Sequence, residues 1–395
     1  MRVITTLFCL AISTITFSQT GEGCDGERYR YRVFEEFTVD YDVVYGNNIN
    51  ALGSNVDLIM DVYRPAGDTL TNRPAVVCAH GGFFVVGSND APDIVPICED
   101  LARMGYVAVS ISYRLGLGNI FQLEQSLQEA VVRGVHDGKA AVRYLRKTHD
   151  IEENIWGIDP ERIVMGGSSA GAFIALHATY VELSEIPSIV DMDQDGLEGG
   201  NEGESGSPGY SSEVLSIFSM SGAIGNVEWI NEGDTPIVST HGTSDNVVPY
   251  GVGQAGFFFI GLADVEGSSV IHERTDTLGI DNCFYTFDGA GHIPHSTSDA
   301  YYDSTRAVVV GFTSRQICPT YPPICEWYDV DSPPEVETLC SQDLIVDGII
   351  SVQDVLEVLT QYGCGVDCYA DMDGDGFVSV SDVMSVLSMF GSYCE

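Results

Sequence analysis

Two adjacent serines, Ser168 and Ser169, lie in a glycine-rich turn that could hold a nucleophile. The turn GGSSAG follows the apolar run RIVM and precedes the apolar run AFIALHATY, which predicts a strand, a sharp turn and a helix. In the pattern G-x-S-x-G the central residue is Ser169, and Ser168 occupies the variable position before it. The alternative is a polar turn without a chemical role, because Gly and Ser are common in turns. The strand–turn–helix context favours Ser169 as a nucleophile.

A nucleophilic serine needs a histidine that takes its proton and a carboxylate that orients this histidine. Hydrolases with such a turn have these residues in the chain order Ser, Asp or Glu, His. Asp245 follows the apolar run PIVS, and His292 follows the apolar run CFYTF in a Gly-rich loop. We therefore predict a triad of Ser169, Asp245 and His292, with His295 as a minor alternative for the base. The competing interpretation of Asp245 is a turn or cap residue.

Further motifs resemble those of a known enzyme family. AHGGFF at 79–84 follows the run PAVVC, and DVYRP, SYRLG and DGKAAVRYLR occur in the order found in α/β-hydrolase-fold esterases. Over roughly residues 40–315 the chain resembles carboxylesterases of the hormone-sensitive-lipase-like and related bacterial type. The HGTSDNVVP and AGH segments, which contain Asp245 and His292, also resemble segments of that family.

The resemblance implies an oxyanion hole formed by the backbone amides of Gly82 and Phe83. The amide of Ala170, at the start of the predicted helix, would join them. His80 would then be structural. Phe83 stands where the family often has a third glycine, which leaves the amide in place and reshapes the pocket.

The order of elements indicates one large α/β domain. Two alternating segments near residues 38–65 predict an antiparallel hairpin, and the apolar runs that follow alternate with helical segments. Continuous apolar strands between helices predict a mostly parallel sheet with helices on both faces, as in the α/β-hydrolase fold. The aromatic run at 256–265 is interpreted as a core helix, with the lining or covering of an acyl site as the alternative.

An acidic insertion near 184–213 contains the spacing of a calcium loop. DMDQDGLEGGNE at 191–202 satisfies D-x-D-x-D-G-x5-E, in which alternating carboxylates and a glycine turn surround one Ca²⁺. A solvated acidic loop is the competing interpretation, because flanking helices are not obvious. Calcium here would be structural, since a serine mechanism needs no metal. The predicted ligands are Asp191, Asp193, Asp195, the Leu197 carbonyl and Glu202.

The C-terminal part of the chain contains an internal repeat. DGIISVQDVLEVLTQYG at 347–363 matches DGFVSVSDVMSVLSMFG at 375–391 with an offset of 28 residues. The second copy resembles dockerin-type calcium repeats, whereas the first copy, at 343–354, has Ile345 at the third ligand position and loses a ligand. Dockerins bind cohesins, so a cohesin-like partner is one expectation and a stabilising appendage is the other. The predicted calcium ligands of the second copy are Asp371, Asp373, Asp375, Ser379 and Asp382.

Four cysteines bracket the two copies of the repeat. Two connectivities fit the symmetry: Cys340–Cys364 with Cys368–Cys394, and Cys340–Cys394 with Cys364–Cys368.

Composition restricts the location and the partners. The first residues resemble a signal peptide cut after Ser18, too short for a membrane span, and ten further cysteines suit an oxidising compartment. We therefore expect a secreted protein. The formal net charge of −41 disfavours nucleic acid and anionic membranes as partners. The predicted organisation is a signal peptide (1–18), a catalytic domain (19–317), a Pro/Cys-rich linker (318–339) and a dockerin-like domain (340–395).

Taken together, these features predict a secreted serine hydrolase that acts on carboxylic esters. The expected substrates are short acyl esters, acetyl or feruloyl groups on polysaccharides, or polyesters. The alternatives are a lipase or serine peptidase of the same fold, and a non-catalytic calcium-dependent binding protein of that fold.

Overall fold

The computed structural model describes residues 23–119, 121–257, 260–333, 342–345, 348–365 and 368–392. The predicted signal peptide and the cysteines at 340 and 394 lie outside the described residues. Within the described part of the chain, no helix combines the length and the apolar character that crossing a membrane requires. In chain order, the strands and helices are β1 (Phe37–Ile49), β2 (Asn55–Pro65), β3 (Arg73–Ala79), α1 (Val95–Arg103), β4 (Val107–Ile111), α2 (Leu123–Ile151), β5 (Ile158–Ser168), α3 (Ala170–Tyr180), β6 (Ser216–Met220), β7 (Ala223–Ile224), β8 (Ile237–Gly242), β9 (Val252–Phe257), β10 (Ile260–Gly267), α4 (Ser268–Leu278), β11 (Asn282–Phe287), α5 (Asp299–Ile317), α6 (Val352–Thr360) and α7 (Val380–Ser388).

One large sheet has the strand order β1-β2-β4-β3-β5-β6-β8-β11. Strands β1 and β2 form the predicted antiparallel hairpin, and β2 pairs with β4 in the same antiparallel sense. From β4 to β11 every pairing is parallel. The inner parallel strands are mostly apolar, as expected where both faces of a sheet are covered, and every residue of β3, β4 and β6 is buried.

Separate apolar clusters cover the two faces of this sheet. One contains side chains from α2, α3 and α4, such as Leu145, Ile174 and Ile271. The other contains side chains from α1 and α5, such as Leu101 and Val310. The predicted mostly parallel sheet with helices on both faces is therefore confirmed. Because β5, β8 and β11 are parallel, the loops that follow them meet at one edge of the sheet, which is where such folds bind ligands.

The aromatic run at 256–265 is not a helix. Its described residues belong to the antiparallel strands β9 and β10, and β10 also pairs with β7 in a small separate sheet. The prediction of a core helix was wrong, because the run combines residues that favour strands with a short length that periodicity cannot resolve.

The first part of the predicted linker packs against the catalytic domain. Tyr321 and Val330 are buried in the cluster beneath α1 and α5. Disulfides join Cys24 to Cys318 and Cys283 to Cys325. Residues 318–333 therefore belong to the folded body of the catalytic domain rather than to a free connection.

The insertion at 184–213 is held against the catalytic domain by hydrogen bonds from Arg114, which also forms a buried ion pair. Arg114 pairs with Asp137 on α2, and the side chains of both are fully buried. The guanidinium of Arg114 also donates to the Gly196 carbonyl at 2.7 Å and to the Ser205 hydroxyl at 3.0 Å. Because an unpaired buried charge is costly, these bonds hold the insertion against α2.

The two copies of the C-terminal repeat pack with internal symmetry. Ile350 exchanges backbone hydrogen bonds with residues 391 and 392, and Val378 exchanges the equivalent bonds with residues 363 and 364. These contacts obey the 28-residue offset of the sequence. Helices α6 and α7 begin at identical capping boxes, Ser351 with Asp354 and Ser379 with Asp382. A disulfide joins Cys364 to Cys368, which agrees with the second of the two predicted connectivities for the pair that is described.

Candidate active site

The turn after β5 holds Ser169 in a strained conformation. Its φ of 50° and ψ of −113° lie in a region of backbone conformation that residues other than glycine rarely adopt. The turn is fixed on both sides, since the Ser169 amide donates to the Met220 carbonyl at 2.8 Å and its carbonyl accepts from Phe173 on α3 at 3.1 Å. Such strain, held in place by surrounding structure, is characteristic of functional sites.

The glycines of the motif allow the turn to approach β3. A Cβ on Gly171 would lie 1.9 Å from the carbonyl oxygen of Ala79, and one on Gly167 would lie 2.4 Å from the same oxygen. Both distances are far below van der Waals contact. The pattern G-x-S-x-G is thus required here by the close packing of α3 on the end of β3.

The three predicted triad residues form one hydrogen-bonded chain. The Ser169 hydroxyl lies 2.8 Å from Nε2 of His292, and Nδ1 of His292 lies 2.7 Å from a carboxylate oxygen of Asp245. Since an ionised carboxylate can only accept, Nδ1 carries the proton and Nε2 is free to accept the proton of Ser169. The geometry is that of a nucleophile, a base and an orienting acid.

The carboxylate of Asp245 is held ionised by its surroundings. Burial alone would raise its pKa, but hydrogen bonds from His241 and His292 outweigh burial and hold the pKa of Asp245 well below its usual range. The second oxygen accepts the amides of Val247 and Val248 at 2.8 and 2.9 Å. The ring of His241 also contacts the Ser268 hydroxyl at 2.8 Å.

The two neighbouring serines point into different environments. Ser169 borders a cavity and bonds to the base, whereas the hydroxyl of Ser168 is fully buried and makes no hydrogen bond to another described residue. His295, the alternative base, is buried, and burial lowers its pKa to about 4. The imidazole that contacts Ser169 belongs to His292.

The predicted oxyanion amides lie on a strained loop, residues 79–84, beside the nucleophile. This segment is called the oxyanion loop below. Gly82, Phe83 and Phe84 have φ values of 107°, 56° and 60°. A Cβ on Gly82 would lie 1.9 Å from the Val86 carbonyl oxygen, so only glycine fits there. Ala170 is the first residue of α3, and its N–H therefore has no carbonyl acceptor within the helix. Phe83 and Ala170 border the same cavity as Ser169.

A cavity of about 340 Å³ opens beside Ser169. Its walls come from the oxyanion loop, α2, α3, the insertion and strands β9 and β10, and most of the side chains are apolar. This size and character suit a small organic ligand. The lining includes Phe83, Phe84, Leu127, Val131, Val135, Phe173, His177, Val181, Ile186, Pro187, Trp229, Val248, Ala255, Ala263 and Val265.

Sequence reasoning missed several residues of this site. His177 lies on α3 with Nδ1 2.8 Å from the Phe173 carbonyl, and its ring lines the cavity between Phe173 and Trp229. The sequence could have indicated this role, because His177 follows Ser169 by about two helical turns and therefore lies on the same face of α3. Tyr113, in the SYRLG segment, contacts the oxyanion loop. No feature of the sequence indicated this contact.

The insertion does not gather its acidic side chains around one point. Among the described residues, the carboxylates of Asp191, Asp193 and Asp195 form no compact cluster. Glu202, the predicted twelfth ligand, instead pairs with Lys139 at 3.1 Å and with Arg143 at 2.8 Å. The Leu197 side chain is buried against α2.

The second tail loop does gather carboxylates. Oxygens of Asp371, Asp373 and Asp375 lie within 4.8 Å of one another, which suits a hard cation with oxygen ligands. Ser379 caps α7 by accepting from the Ser381 amide at 3.2 Å. Asp382 is buried and accepts the amides of Met372 and Ser379, each at 2.7 Å. These bonds close the loop onto the start of the helix.

Comparison with known proteins gives partial matches. A family model described as BD-FAE matches residues 60–207. Lipase 2 of Geotrichum candidum is 31% identical over 144 residues, which are 35% of this chain and 24% of that lipase. Acylcarnitine hydrolase of Rattus norvegicus is 34% identical over 122 residues, which are 29% of this chain and 19% of that protein. The matches span about a quarter or less of the length of these relatives.

Among solved structures, the native esterase 2 of Thermogutta terrifontis has a TM-score of 0.43 and 23% identity. The similarity covers 64% of this chain and 82% of that one. The family match spans β2 to the insertion and includes both the oxyanion loop and the nucleophile turn. Together with the mostly parallel sheet, it supports the predicted α/β-hydrolase fold.

Proposed function

We propose that this protein is a serine hydrolase of carboxylic esters. The observation that carries the proposal is the hydrogen-bonded chain from Ser169 through His292 to Asp245 at the mouth of an apolar cavity. Lipases and esterases are among the relatives that match part of this chain, and the family model covers the oxyanion loop and the nucleophile turn.

The mechanism follows from the positions of these groups. Oγ of Ser169 attacks the ester carbonyl while His292 takes the serine proton, and Asp245 stabilises the resulting imidazolium. The amides of Gly82, Phe83 and Ala170 donate to the oxyanion of the tetrahedral intermediate. His292 then protonates the leaving alcohol as the C–O bond breaks, which leaves Ser169 acylated. Water, deprotonated by His292, attacks the acyl-enzyme and releases the acid.

The cavity favours esters whose acyl group is apolar. Its walls near Ser169 are aromatic and aliphatic, with Phe83, Phe173 and Trp229 among them. Short acyl, feruloyl and polyester substrates offer such groups, and an acetyl group leaves most of the cavity empty. A lipase uses the same machinery, and a peptidase would need the same triad to expel an amine. The intact triad argues against a purely binding role.

The proposal is tested by comparing the two neighbouring serines. Ser169→Ala should abolish hydrolysis of p-nitrophenyl butyrate and labelling by a fluorophosphonate probe. Ser168→Ala is the matched control and should keep most of both, because its hydroxyl is buried away from His292. A wild-type protein that neither hydrolyses esters nor reacts with the probe would contradict the proposal.

We further propose that the tail is a dockerin-like domain that binds structural Ca²⁺ through Asp371, Asp373 and Asp375. The clustering of these carboxylates supports the proposal. Calorimetric titration of the calcium-free protein should show one site in this loop, and Asp373→Asn should weaken it strongly. A second site that survives Asp373→Asn would support the sequence prediction for 191–202. Titration without detectable binding would contradict both.

A duplicated apolar surface on the tail supports a protein partner of the cohesin type. Val352, Leu356 and Leu359 on α6, and their repeat equivalents on α7, are between 44% and 61% exposed. The tail has no basic residue after Arg315, so the partner should surround an apolar patch with basic side chains. Leu356→Asp with Met384→Asp should abolish binding in a cohesin panel. A panel that shows no binding to the wild type would contradict this proposal.

Export to an oxidising compartment completes the proposal. Disulfides join residues far apart in the chain, including Cys24 to Cys318, and such bonds persist outside the cytosol. The expected N-terminus of the mature protein follows Ser18, and N-terminal sequencing of the exported protein tests it.

A further inference from the structure

A buried tyrosine hydroxyl contacts the backbone immediately before the oxyanion amides. Oη of Tyr113 lies 2.9 Å from the carbonyl oxygen of His80 and 3.2 Å from that of Gly81. Nδ1 of His80 lies 2.5 Å from the same Gly81 oxygen. Because a carbonyl oxygen only accepts, both the tyrosine O–H and the imidazole Nδ1–H donate to this segment. The single proton of the tyrosine hydroxyl is shared between the His80 and Gly81 carbonyls, with the shorter contact to His80, and the Gly81 carbonyl also accepts from Nδ1 of His80.

Holding this carbonyl fixes the direction of the next amide. The carbonyl of Gly81 and the N–H of Gly82 belong to one peptide unit, which is planar and trans. In a trans peptide these two groups point in opposite directions. A donor that fixes the carbonyl on one side therefore aims the Gly82 N–H toward the other side. Gly82 is the first of the proposed oxyanion donors.

The preceding peptide unit is fixed as well. The Gly81 N–H donates to a carboxylate oxygen of Asp93 at 2.8 Å. A Cβ on Gly81 would lie 2.7 Å from this carboxylate and 3.3 Å from Cβ of Ser169. Gly81 is therefore enclosed between Asp93 and the nucleophile, and a small rotation of its backbone would move the loop relative to Ser169.

The ring of Tyr113 is itself locked in place. It stacks on the imidazole of His80, with ring centroids 4.4 Å apart, and meets the edge of Phe84 at 5.8 Å. Its side chain is almost completely buried between β4 and the oxyanion loop. A rigid ring with a polar tip can hold a backbone group without the entropic cost of a longer side chain.

We propose that Tyr113, assisted by Asp93, is a positioning residue that aims the Gly82 amide at the oxyanion. Neither side chain touches the substrate, and both act through the Gly81 backbone. The inference rests on the proposed ester hydrolysis at Ser169. Preorganised donors need no rearrangement as the charge develops, so their direction determines the rate of the chemical step rather than ground-state binding.

Tyr113→Phe removes the hydroxyl and keeps the ring stacking. We expect kcat for p-nitrophenyl butyrate to fall at least tenfold, with KM changed less than twofold. This is smaller than the roughly 10²–10³-fold cost of losing an oxyanion donor outright, and comparable to the effect of misplacing a reacting group. The affinity for a trifluoromethyl ketone, which forms a tetrahedral adduct with the serine, should fall by the same factor as kcat/KM.

Tyr106→Phe is the matched control. The Tyr106 hydroxyl is buried and donates to the Tyr29 carbonyl at 2.7 Å, away from the oxyanion loop and from the cavity lining. Both variants lose one buried hydrogen bond to a carbonyl, so both should lower the melting temperature to a similar extent. Only Tyr113→Phe should lower kcat.

The outcomes separate this inference from the proposed function. An unchanged kcat in Tyr113→Phe, or an equal loss in Tyr106→Phe, would overturn the positioning role while Ser169 remains reactive toward the fluorophosphonate. If Tyr113→Phe does not fold, Asp93→Ala provides a second test, because it removes the carboxylate that accepts the Gly81 N–H. A loss of kcat without a change in KM in Asp93→Ala would support the inference. An unchanged kcat in Asp93→Ala would overturn it. A wild type without hydrolysis or labelling contradicts the proposed function itself.

Discussion

Each polar group of the triad has a partner that fixes its protonation state. Asp245 accepts two backbone amides on one oxygen and the His292 ring on the other. The imidazole therefore keeps its proton on Nδ1 and offers a lone pair to Ser169. This arrangement does not depend on a metal-bound water or on a shifted serine pKa. The direction of three hydrogen bonds defines which group accepts the serine proton.

Replacing Asp245 tests this arrangement. Asp245→Asn should lower kcat by about 10⁴-fold with little change in KM, because an amide favours the wrong tautomer of the base. The control is Asp264→Asn, since Asp264 also borders the cavity but bonds to Gln254 rather than to His292. Measured rates that fall equally in the two variants would contradict the assigned role of Asp245.

The same substitution affects stability at acid pH. The pKa of Asp245 is lower in the folded protein than in the unfolded chain, so its contribution to stability is complete above about pH 4. The contribution is lost as pH falls further toward the folded pKa. Urea unfolding between pH 5 and pH 3 should therefore show a shallower decline for Asp245→Asn than for the wild type.

The three residues proposed to be catalytic could be predicted from the sequence because each lies at the end of an apolar run and they follow a fixed chain order. The contacts of Tyr113 and His177 could not, because they join elements distant in the sequence. The spacing at 191–202 records which oxygens are near in the chain, but it does not indicate that Lys139 and Arg143 on α2 pair with Glu202.

At the scale of elements, the close crossing of α3 over the end of β3 places Ser169. The helix begins directly after a strained residue, and its first turn lies against the Ala79 carbonyl. The sequence predicted this strand–turn–helix unit because small residues mark it. It did not predict the antiparallel pair β9 and β10, because the sequence between 251 and 267 contains no Gly-Pro or Asn-Gly pair that would indicate a hairpin.

A single methyl group should disturb this crossing. Gly171→Ala places a Cβ 1.9 Å from a backbone oxygen that cannot move without shifting β3. We expect loss of esterase activity and destabilisation by a few kcal/mol, within the range for overpacked sites. Circular dichroism melting and probe labelling would measure the two effects.

Gly118→Ala is the matched control for this element. A Cβ there would approach other atoms no closer than 3.5 Å, and its backbone is not in the left-handed region. It should leave both activity and melting temperature nearly unchanged. Wild-type labelling of Gly171→Ala would show that the turn can form without the close approach.

At the scale of the whole molecule, two electrostatic features act in opposite directions as the pH falls. The net charge of −41 makes the folded protein repel itself, and this repulsion weakens as carboxylates take up protons. Several histidines, in contrast, are buried in neutral form. Burial lowers the pKa of His136, His272 and His295 to about 4 in each case.

These histidines predict acid destabilisation well above the range in which carboxylates titrate. An unfolded histidine has a pKa of about 6.5, so between about pH 6.5 and pH 4 the unfolded chain binds protons that the folded protein does not. The free energy of unfolding must then fall as the pH is lowered, by up to about 1.4 kcal/mol per pH unit for each histidine. Urea unfolding from pH 7 to pH 4.5 measures this slope. Salt of about 1 M, with a screening length near 3 Å, suppresses the opposing surface repulsion.

His272→Gln should reduce this slope by the equivalent of about one proton. The ring of His272 stacks on Phe284 and lies 2.7 Å from the Asn282 side-chain oxygen, far from Ser169 in the sequence and outside the cavity lining. The variant should therefore keep esterase activity. His149→Gln, at an exposed position beside Asp150, should leave the slope unchanged. A free energy of unfolding that stays constant from pH 6.5 to pH 4.5 in high salt would mean that these imidazoles accept protons without unfolding, and that the folded interior hydrates them.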